Sequence, residues 1–194
     1  RIPSNKFAKK LITLFDLPIA APSANLSERT SVTNIMDIDP ILEKKIFVLK
    51  DKQSSHGLES TVVRIDTNNE IEVLRYGSIT VEELNKYAKV KIKKKSSISP
   101  GNLKKHYSTL KPIRMNAKRI LKNEGLLNFG NNKLKSKIIN LNLSNKKNLN
   151  EAAKNFYHYL HKLDQSRCKK IAVVEIPDKG LGKTINDRLR RAIK

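Results

Sequence analysis

Hydroxyl, amide and glycine residues recur beside two strand-like segments early in the chain. Ser23 and Asn25 follow a run of small apolar residues, and Gly57 stands shortly before Ser60 and Thr61. Glycine allows a backbone to approach a ligand closely, and hydroxyl groups offer hydrogen-bond donors without adding charge. These residue types, in this arrangement, indicate a binding site for a small polar ligand.

A single arginine stands where it could bind phosphate. Arg75 ends the next strand-like segment and precedes Tyr76 and Gly77. A guanidinium group in such a position can hold two phosphate oxygens at once. We therefore expect Arg75 to contact phosphate, and it is the strongest single candidate site residue. His56 has no acid or nucleophile at a recognisable spacing, so we interpret it as a loop residue.

Residues 99–107 combine features that suit a lid over a ligand. Pro100 fixes one backbone angle, and Gly101 permits the chain to reverse. Tyr107 offers a flat ring with a polar tip for adenine or phosphate. We predict that this segment closes over a bound ligand and does not merely connect two domains.

Taken in order and spacing, these four motifs resemble the YrdC-type threonylcarbamoyl-AMP synthases, in the longer form that carries a C-terminal accessory domain. The resemblance implies that L-threonine, bicarbonate and ATP, with Mg²⁺ accompanying the ATP, become threonylcarbamoyl-AMP and pyrophosphate. The product then serves to modify the adenosine beside the anticodon of certain tRNAs. Further partners implied are tRNA or the downstream threonylcarbamoyl transferase.

The resemblance also assigns site residues, without a metal ligand and without a catalytic group beyond the binding residues. The residues implied for ATP are Ala21, Asn25, Ser31, Thr33, Arg75 and Tyr107. Those implied for threonine are Arg1, Ser23, Ser60 and Thr61. Three residues depart from the family pattern: Glu28, Asn102 and Lys104.

The chain begins Arg1-Ile2-Pro3, which resembles an Arg-x-Pro element midway through the family's catalytic domain. The resemblance therefore implies the C-terminal portion of a longer protein, inactive alone. Two alternatives stay open: a non-catalytic, basic tRNA- or RNA-binding remnant, and a decayed fragment whose first 90 residues have no stable fold.

Composition limits the classes of protein further. The formal net charge of +22 would attract polyanions such as ATP and tRNA, yet the basic residues are scattered through every segment, as on an ordinary solvated surface. One cysteine, Cys168, excludes an intrachain disulfide and favours a reducing compartment, the cytoplasm. No apolar run approaches the roughly 20 residues of a membrane span.

The elements that would position the motifs divide into two α/β units around a linker. Residues 1–90 are predicted as the C-terminal half of a YrdC-like domain, 91–112 as the linker, and 113–194 as a small Rossmann-like domain. In the first unit we expect a helix capped by Ser4 and ended by Pro18. The other elements expected there are strands at 19–21 and 46–49, a short helix at 34–44, a hairpin of 61–65 with 71–74, and a helix at 80–88.

The second unit alternates between the two kinds of element, which favours a mostly parallel sheet. The elements expected there are strands near 112–115, 126–129, 137–142 and 171–176 and helices near 117–124, 149–163 and 184–193. Gly182-Lys183-Thr184 resembles the end of a P-loop, but that loop requires glycine where Pro177 stands. We interpret the stretch as part of the family's C-terminal end.

Overall fold

The structure, a computed structural model, describes residues 3–21, 23–49, 54–92 and 107–193, and these form an α/β fold with two sheets. The N-terminal part (residues 3–92) holds a three-stranded sheet, and the C-terminal part (residues 107–193) holds a four-stranded one. The α/β class predicted from the sequence is confirmed. The domain boundaries at residues 90 and 112 stay predictions.

Helix α1 (Lys6–Phe15) opens the N-terminal part with its apolar side chains exposed. The side chain of Asn5 caps it by accepting a hydrogen bond from the Ala8 amide at 3.0 Å. Ser4 was the predicted cap, but the helix begins at Lys6, and the residue directly before it is Asn5. The helix ends at Asp16, whose left-handed φ of 52° stops it before Pro18.

Two of the predicted strands do not form. Residues 19–21 and 46–49 have irregular backbones, with Ile19 42% and Phe47 89% exposed. A short apolar segment becomes a buried strand only when a neighbouring strand pairs with it. No strand of the described ranges pairs with either segment. Between them, a 3₁₀ turn (Ile35–Asp37) and helix α2 (Pro40–Glu43) take the place of the predicted helix at 34–44.

The small sheet has the order β1-β2-β3, with β1 (Val62–Ile65) antiparallel to β2 (Ile71–Arg75) and β3 (Val90–Lys91) parallel to β2. The predicted hairpin is therefore confirmed, and Lys91 lies in a strand although the linker was predicted to begin there. Helix α3 (Val81–Leu84) follows β2 with the capping box that the sequence indicated, in which Thr80 and Glu83 bond reciprocally.

The larger sheet is parallel throughout, as predicted, and has the order β4-β7-β5-β6. Its strands are β4 (Ile113–Arg114), β5 (Glu124–Asn128), β6 (Asn140–Asn142) and β7 (Lys170–Val173). Helix α4 (Leu149–Gln165) and helix α5 (Leu181–Ala192) contact each other and complete the core. Fully buried side chains of that core include Leu126, Leu127, Phe156, Ile171, Ile185 and Leu189.

The helix predicted near 117–124 is absent, and turns occupy this stretch. Asn116 and Asn123 adopt left-handed φ angles of 54° and 67°, which a helix does not permit. The carboxylate of Glu124 accepts a hydrogen bond from the Leu121 amide at 2.8 Å and also pairs with Arg114. These contacts place Glu124 at the start of β5.

Candidate functional site

A partly buried carboxylate, that of Glu59, lies where the two parts of the chain meet. Ser31 donates to its Oε1 at 2.5 Å, and the Tyr157 hydroxyl donates to the same oxygen at 2.7 Å. Arg188 donates from Nε to Oε2 at 3.1 Å. Ser31 and Glu59 belong to the N-terminal part, whereas Tyr157 lies on α4 and Arg188 on α5. The sequence analysis selected only Ser31 of these four as a site residue.

The electrostatics of this cluster keep both charges in place. Burial alone would raise the pKa of Glu59, but the charge of Arg188 and the hydrogen bonds from Ser31 and Tyr157 outweigh it and lower the pKa. Burial likewise opposes the charge of Arg188, yet the acidic groups around it, Glu59 among them, raise the pKa of its guanidinium. Burial raises the pKa of Tyr157 well above its ordinary value, so its hydroxyl stays protonated and donates to Glu59.

Arg188 is the largest fully buried side chain described, and it contacts three segments. Besides Glu59, it donates from Nη2 to the Tyr76 carbonyl at 2.7 Å and from Nη1 to Asp187 at 2.6 Å. Its guanidinium carbon also lies 4.5 Å from the centre of the Tyr107 ring, a cation–π contact. One side chain of α5 therefore joins the region around residue 59, the end of β2 and the segment around residue 107.

Ser60 and Thr61, which are predicted to bind L-threonine, directly follow Glu59 in the chain, and the Arg75 side chain contacts Ser60. Arg75 donates from Nη2 to the Ser60 carbonyl at 2.8 Å and to the Ser60 hydroxyl at 3.3 Å. The Thr61 hydroxyl donates to the Ile79 carbonyl at 2.6 Å. The structure thus brings the residue expected to bind phosphate close to the residues expected to bind threonine. Their ligand contacts stay predictions.

Backbone packing in this region is tight enough to require glycine at position 77. A Cβ atom added to Gly77 would lie 2.2 Å from the Thr61 nitrogen and 2.5 Å from the Glu59 carbonyl oxygen. The neighbouring Ser78 amide donates to that same carbonyl at 2.8 Å. Residues 59–61 and 76–79 therefore pack directly against each other, backbone to backbone.

The residues expected to bind ATP or threonine near the start of the chain differ in their exposure. Ala21 and Ser23, the latter expected to bind threonine, are exposed, and Arg1 lies outside the described residues. The side-chain nitrogen Nδ2 of Asn25 donates to the backbone carbonyls of Leu26 and Arg29 at 2.8 and 3.2 Å.

Two of the residues expected to bind ATP have a buried side-chain oxygen that could accept a hydrogen bond. Within the described ranges, Oδ1 of Asn25 and Oγ1 of Thr33 are both buried without a hydrogen-bond partner. Such atoms are costly unless a water or a ligand satisfies them. They therefore fit a ligand that presents N–H or O–H groups.

Glu28, one of the departures from the family pattern, occupies a turn with a left-handed φ of 66°. Glycine adopts that conformation most readily, so the backbone at Glu28 is less favourable than it would be at a glycine. The Glu28 side chain is exposed, and its carbonyl accepts a hydrogen bond from the Ser108 amide at 2.8 Å. This turn docks the start of the C-terminal part. Asn102 and Lys104, the other departures, lie outside the described residues.

Tyr107 was expected to face the nucleotide, and the structure places it in the core with 2% of its surface exposed. Its ring packs between Arg188 and Tyr157, whose ring centre is 6.1 Å away. Burial raises the pKa of its hydroxyl. Residues 99–106 lie outside the described residues, so the lid stays a prediction, as does the nucleotide contact of Tyr107.

A cavity of about 160 Å³ lies between the 25–40 region and α4, next to Asn25. Its lining includes Arg29, Asp37 and His161, and His161 Nε2 is 3.1 Å from the Thr30 hydroxyl. Sites for drug-sized ligands usually measure about 300–1,000 Å³. The cavity therefore suits water, a small polar molecule or one group of a larger ligand, and it is too small to enclose a whole nucleotide.

The stretch that resembles a P-loop has an internal structural role. Thr184 is 2% exposed and donates to the Gly77 carbonyl at 3.0 Å. Lys183 Nζ lies 5.1 Å from the centre of the Tyr76 ring. Both residues therefore attach α5 to the end of β2, and neither arrangement resembles a phosphate cradle.

A cluster of metal ligands and a membrane-spanning helix are both absent from the described ranges. No three histidine, cysteine, aspartate or glutamate side chains there stand close enough together to hold a metal ion. No helix in the same ranges is long and apolar enough to cross a lipid bilayer.

Comparison with known proteins defines the class. Residues 79–193 match the family profile described as "Threonylcarbamoyl-AMP synthase, C-terminal domain", and residues 1–77 match the profile described as "Telomere recombination". The chain belongs to the threonylcarbamoyl-AMP synthase family, and the resemblance seen in its sequence is confirmed.

Among curated relatives, the threonylcarbamoyl-AMP synthase of Pyrococcus abyssi is 26% identical over 99% of this chain and 62% of the relative. That of Bacillus subtilis is 28% identical over the same shares. That of Schizosaccharomyces pombe is 35% identical over 56% of this chain and 30% of the relative. The chain therefore spans about three fifths of the length of the two relatives that match it throughout.

The structural comparison agrees. The crystal structure of P. abyssi Sua5 complexed with L-threonine matches 99% of this chain and 62% of that chain, with a TM-score of 0.83 and 25% identity. A variant of the same protein matches with a TM-score of 0.76 at 24% identity, which supports the fold alone.

Proposed function

We propose that this chain takes part in the synthesis of threonylcarbamoyl-AMP from L-threonine, bicarbonate and ATP, with release of pyrophosphate. The observation that carries the proposal is the match of 99% of the chain to a solved relative complexed with L-threonine. Because the chain spans only 62% of that relative, the activity, the substrates and the tRNA connection all belong to the proposal.

The contacts around Glu59 support a division of roles. Ser60 and Thr61 would bind threonine, and Arg75, which already touches Ser60, would hold the α-phosphate beside it. Adenylyl transfer requires the carbamate and the phosphate to be held in line, with fixed donors for the developing charge. Arg75 suits that requirement, because it is hydrogen-bonded directly to Ser60, one of the residues proposed to bind threonine.

Asn25 and Thr33 would serve the nucleotide. Their buried oxygens lack partners among the described residues, and the amino group of adenine or a ribose hydroxyl could supply the missing donor. Mg²⁺ would bind with the triphosphate, since it takes substrate phosphate oxygens as ligands and keeps several of its waters. These residues therefore fit the nucleotide through polar contacts and without a protein metal cage.

Calorimetric titration of the chain with L-threonine and with ATP·Mg²⁺ tests the proposal. We expect both to bind, and Arg75→Ala to weaken ATP binding by about ten- to a hundredfold, the worth of a hydrogen bond to a charged group. Lys89→Gln is the matched control, because Lys89 is a 77% exposed cation near the same sheet. Binding of neither ligand, combined with a preference for tRNA over unrelated RNA that persists at high salt, would overturn the proposal in favour of a basic tRNA-binding protein.

A further inference from the structure

Helix α5 contacts both backbone segments that carry the proposed ligand-binding residues. Arg188 reaches the Glu59 carboxylate and the Tyr76 carbonyl, at 3.1 and 2.7 Å. One turn earlier, Thr184 donates to the Gly77 carbonyl at 3.0 Å. The two segments, residues 59–61 and 76–79, are the pair whose backbones pack against each other at Gly77.

These contacts hold the side chains of Arg188 and Glu59 in fixed positions. Arg188 has no exposed surface and is held on several sides, so its guanidinium cannot move without breaking several hydrogen bonds. Glu59 is held equally firmly, because Ser31 and Tyr157 occupy its other oxygen. The residue that follows Glu59 is Ser60, whose carbonyl also receives Arg75.

We propose that Arg188 is a positioning residue, which acts through Glu59 and Tyr76 to hold the Ser60–Thr61 segment and the Arg75 end of β2 in fixed relation. The C-terminal part would thereby set the geometry of a binding site formed by the N-terminal part, without contacting the ligand. The consequence for threonine rests on the proposed function; the fixing of the two segments does not.

The test must avoid leaving one buried charge unpaired, since that alone destabilises a fold strongly. The double variant Arg188→Met with Glu59→Gln removes both charges and keeps an oxygen that can accept from Ser31 and Tyr157. The control is Arg190→Gln, on the same helix, where Arg190 is 55% exposed and pairs with the exposed Asp178. Hydrogen exchange is followed in residues 59–63, 76–79 and, as an internal reference, β5.

We expect the double variant to exchange at least tenfold faster in 59–63 and 76–79 while β5 is unchanged, and its L-threonine affinity to fall at least tenfold. Arg190→Gln should change none of these. A folded double variant with wild-type exchange in both segments would overturn the proposal, and so would a uniform increase that includes β5.

Two further outcomes are separated by design. If the double variant does not fold, Glu59→Gln alone decides by the same exchange measurement, because Arg188 then retains Asp187 and Tyr76 as partners. If the wild-type chain binds no L-threonine, the proposed function fails, and the exchange result still decides whether Arg188 fixes the two segments.

Discussion

At the scale of single residues, the centre of the candidate site is a carboxylate that no local pattern reveals. Glu59 bonds to Ser31, Tyr157 and Arg188, which are 28, 98 and 129 positions away in the chain. Hydroxyls, glycines and a lone arginine near strand ends were visible in the sequence and led to Ser60, Thr61 and Arg75. A buried ion pair becomes visible only when the fold brings its members together.

The ionisation of Glu59 should be measurable in the pH dependence of stability. Its pKa in the folded chain lies below the ordinary value of 4.5, so the unfolded chain binds a proton first as the pH falls. The stabilisation is fully present above pH 4.5 and is lost as the pH falls through the lowered pKa. We expect the difference in unfolding free energy between wild type and Glu59→Gln to shrink on acidification.

Urea denaturation between about pH 3 and about pH 6 provides the measurement, with the unfolding free energy obtained at each pH. Asp178→Asn is the control, because Asp178 is 58% exposed and pairs with an exposed arginine. A constant offset between wild type and Glu59→Gln across the whole range would show that the charge of Glu59 does not stabilise the fold.

At the scale of elements, the C-terminal part followed its sequence pattern closely and the N-terminal part did not. Apolar periodicity predicted α4 and α5 because these helices bury one face against a sheet. The same kind of pattern in α1 predicted a helix correctly, but every residue of α1 remains unburied. Periodicity therefore identifies the apolar face of an element and does not identify what covers it.

Substitutions in α1 and α4 should accordingly differ in their cost. Leu14 is 74% exposed, so we expect Leu14→Ala to change the unfolding free energy by less than about 0.5 kcal/mol. Leu160 is 1% exposed, and Leu160→Ala should cost about 2–5 kcal/mol through the cavity that it leaves. Chemical denaturation of both variants checks this, and equal losses would mean that α1 is covered in solution.

The strands at 19–21 and 46–49 failed for a related reason. Both are short apolar runs, which satisfy the sequence criteria for a buried strand as well as β5 does. Such a run becomes a strand only if a neighbouring strand lies alongside it with unpaired backbone N–H and C=O groups. The presence of that neighbour is determined by the whole fold and not by the run itself. The helix predicted near 117–124 failed locally instead, through two asparagines in left-handed conformations.

At the scale of the whole molecule, the two parts are joined by polar contacts as well as by packing. His158 of α4 pairs with the buried Asp37 at 2.8 Å, and His161 lies 3.1 Å from the Thr30 hydroxyl. With the Glu59 cluster and Thr184, these contacts run along both helices of the C-terminal part. Lysines supply most of the basic residues that give the chain its charge of +22.

That charge predicts RNA binding without sequence preference. Because the lysines do not form one stripe, we expect a tRNA and an unrelated RNA of equal length to bind with similar affinity at low salt. Both affinities should fall steeply between about 50 mM and about 200 mM salt, as counterion release requires. Fluorescence anisotropy titrations measure this, with a tRNA preference that persists at the higher salt as the contrary result.

The distance along the chain between Glu59 and Arg188 also has a meaning in time. A ribosome adds about 5–20 residues per second, so on the order of ten seconds separate the synthesis of the carboxylate from that of its guanidinium partner. Throughout that interval Glu59 has no counter-charge from α5 and is better left hydrated than buried. The nascent N-terminal part would therefore leave the Glu59 carboxylate exposed to water until α5 emerges, and residues 59–61 would close against 76–79 only after α5 has been made.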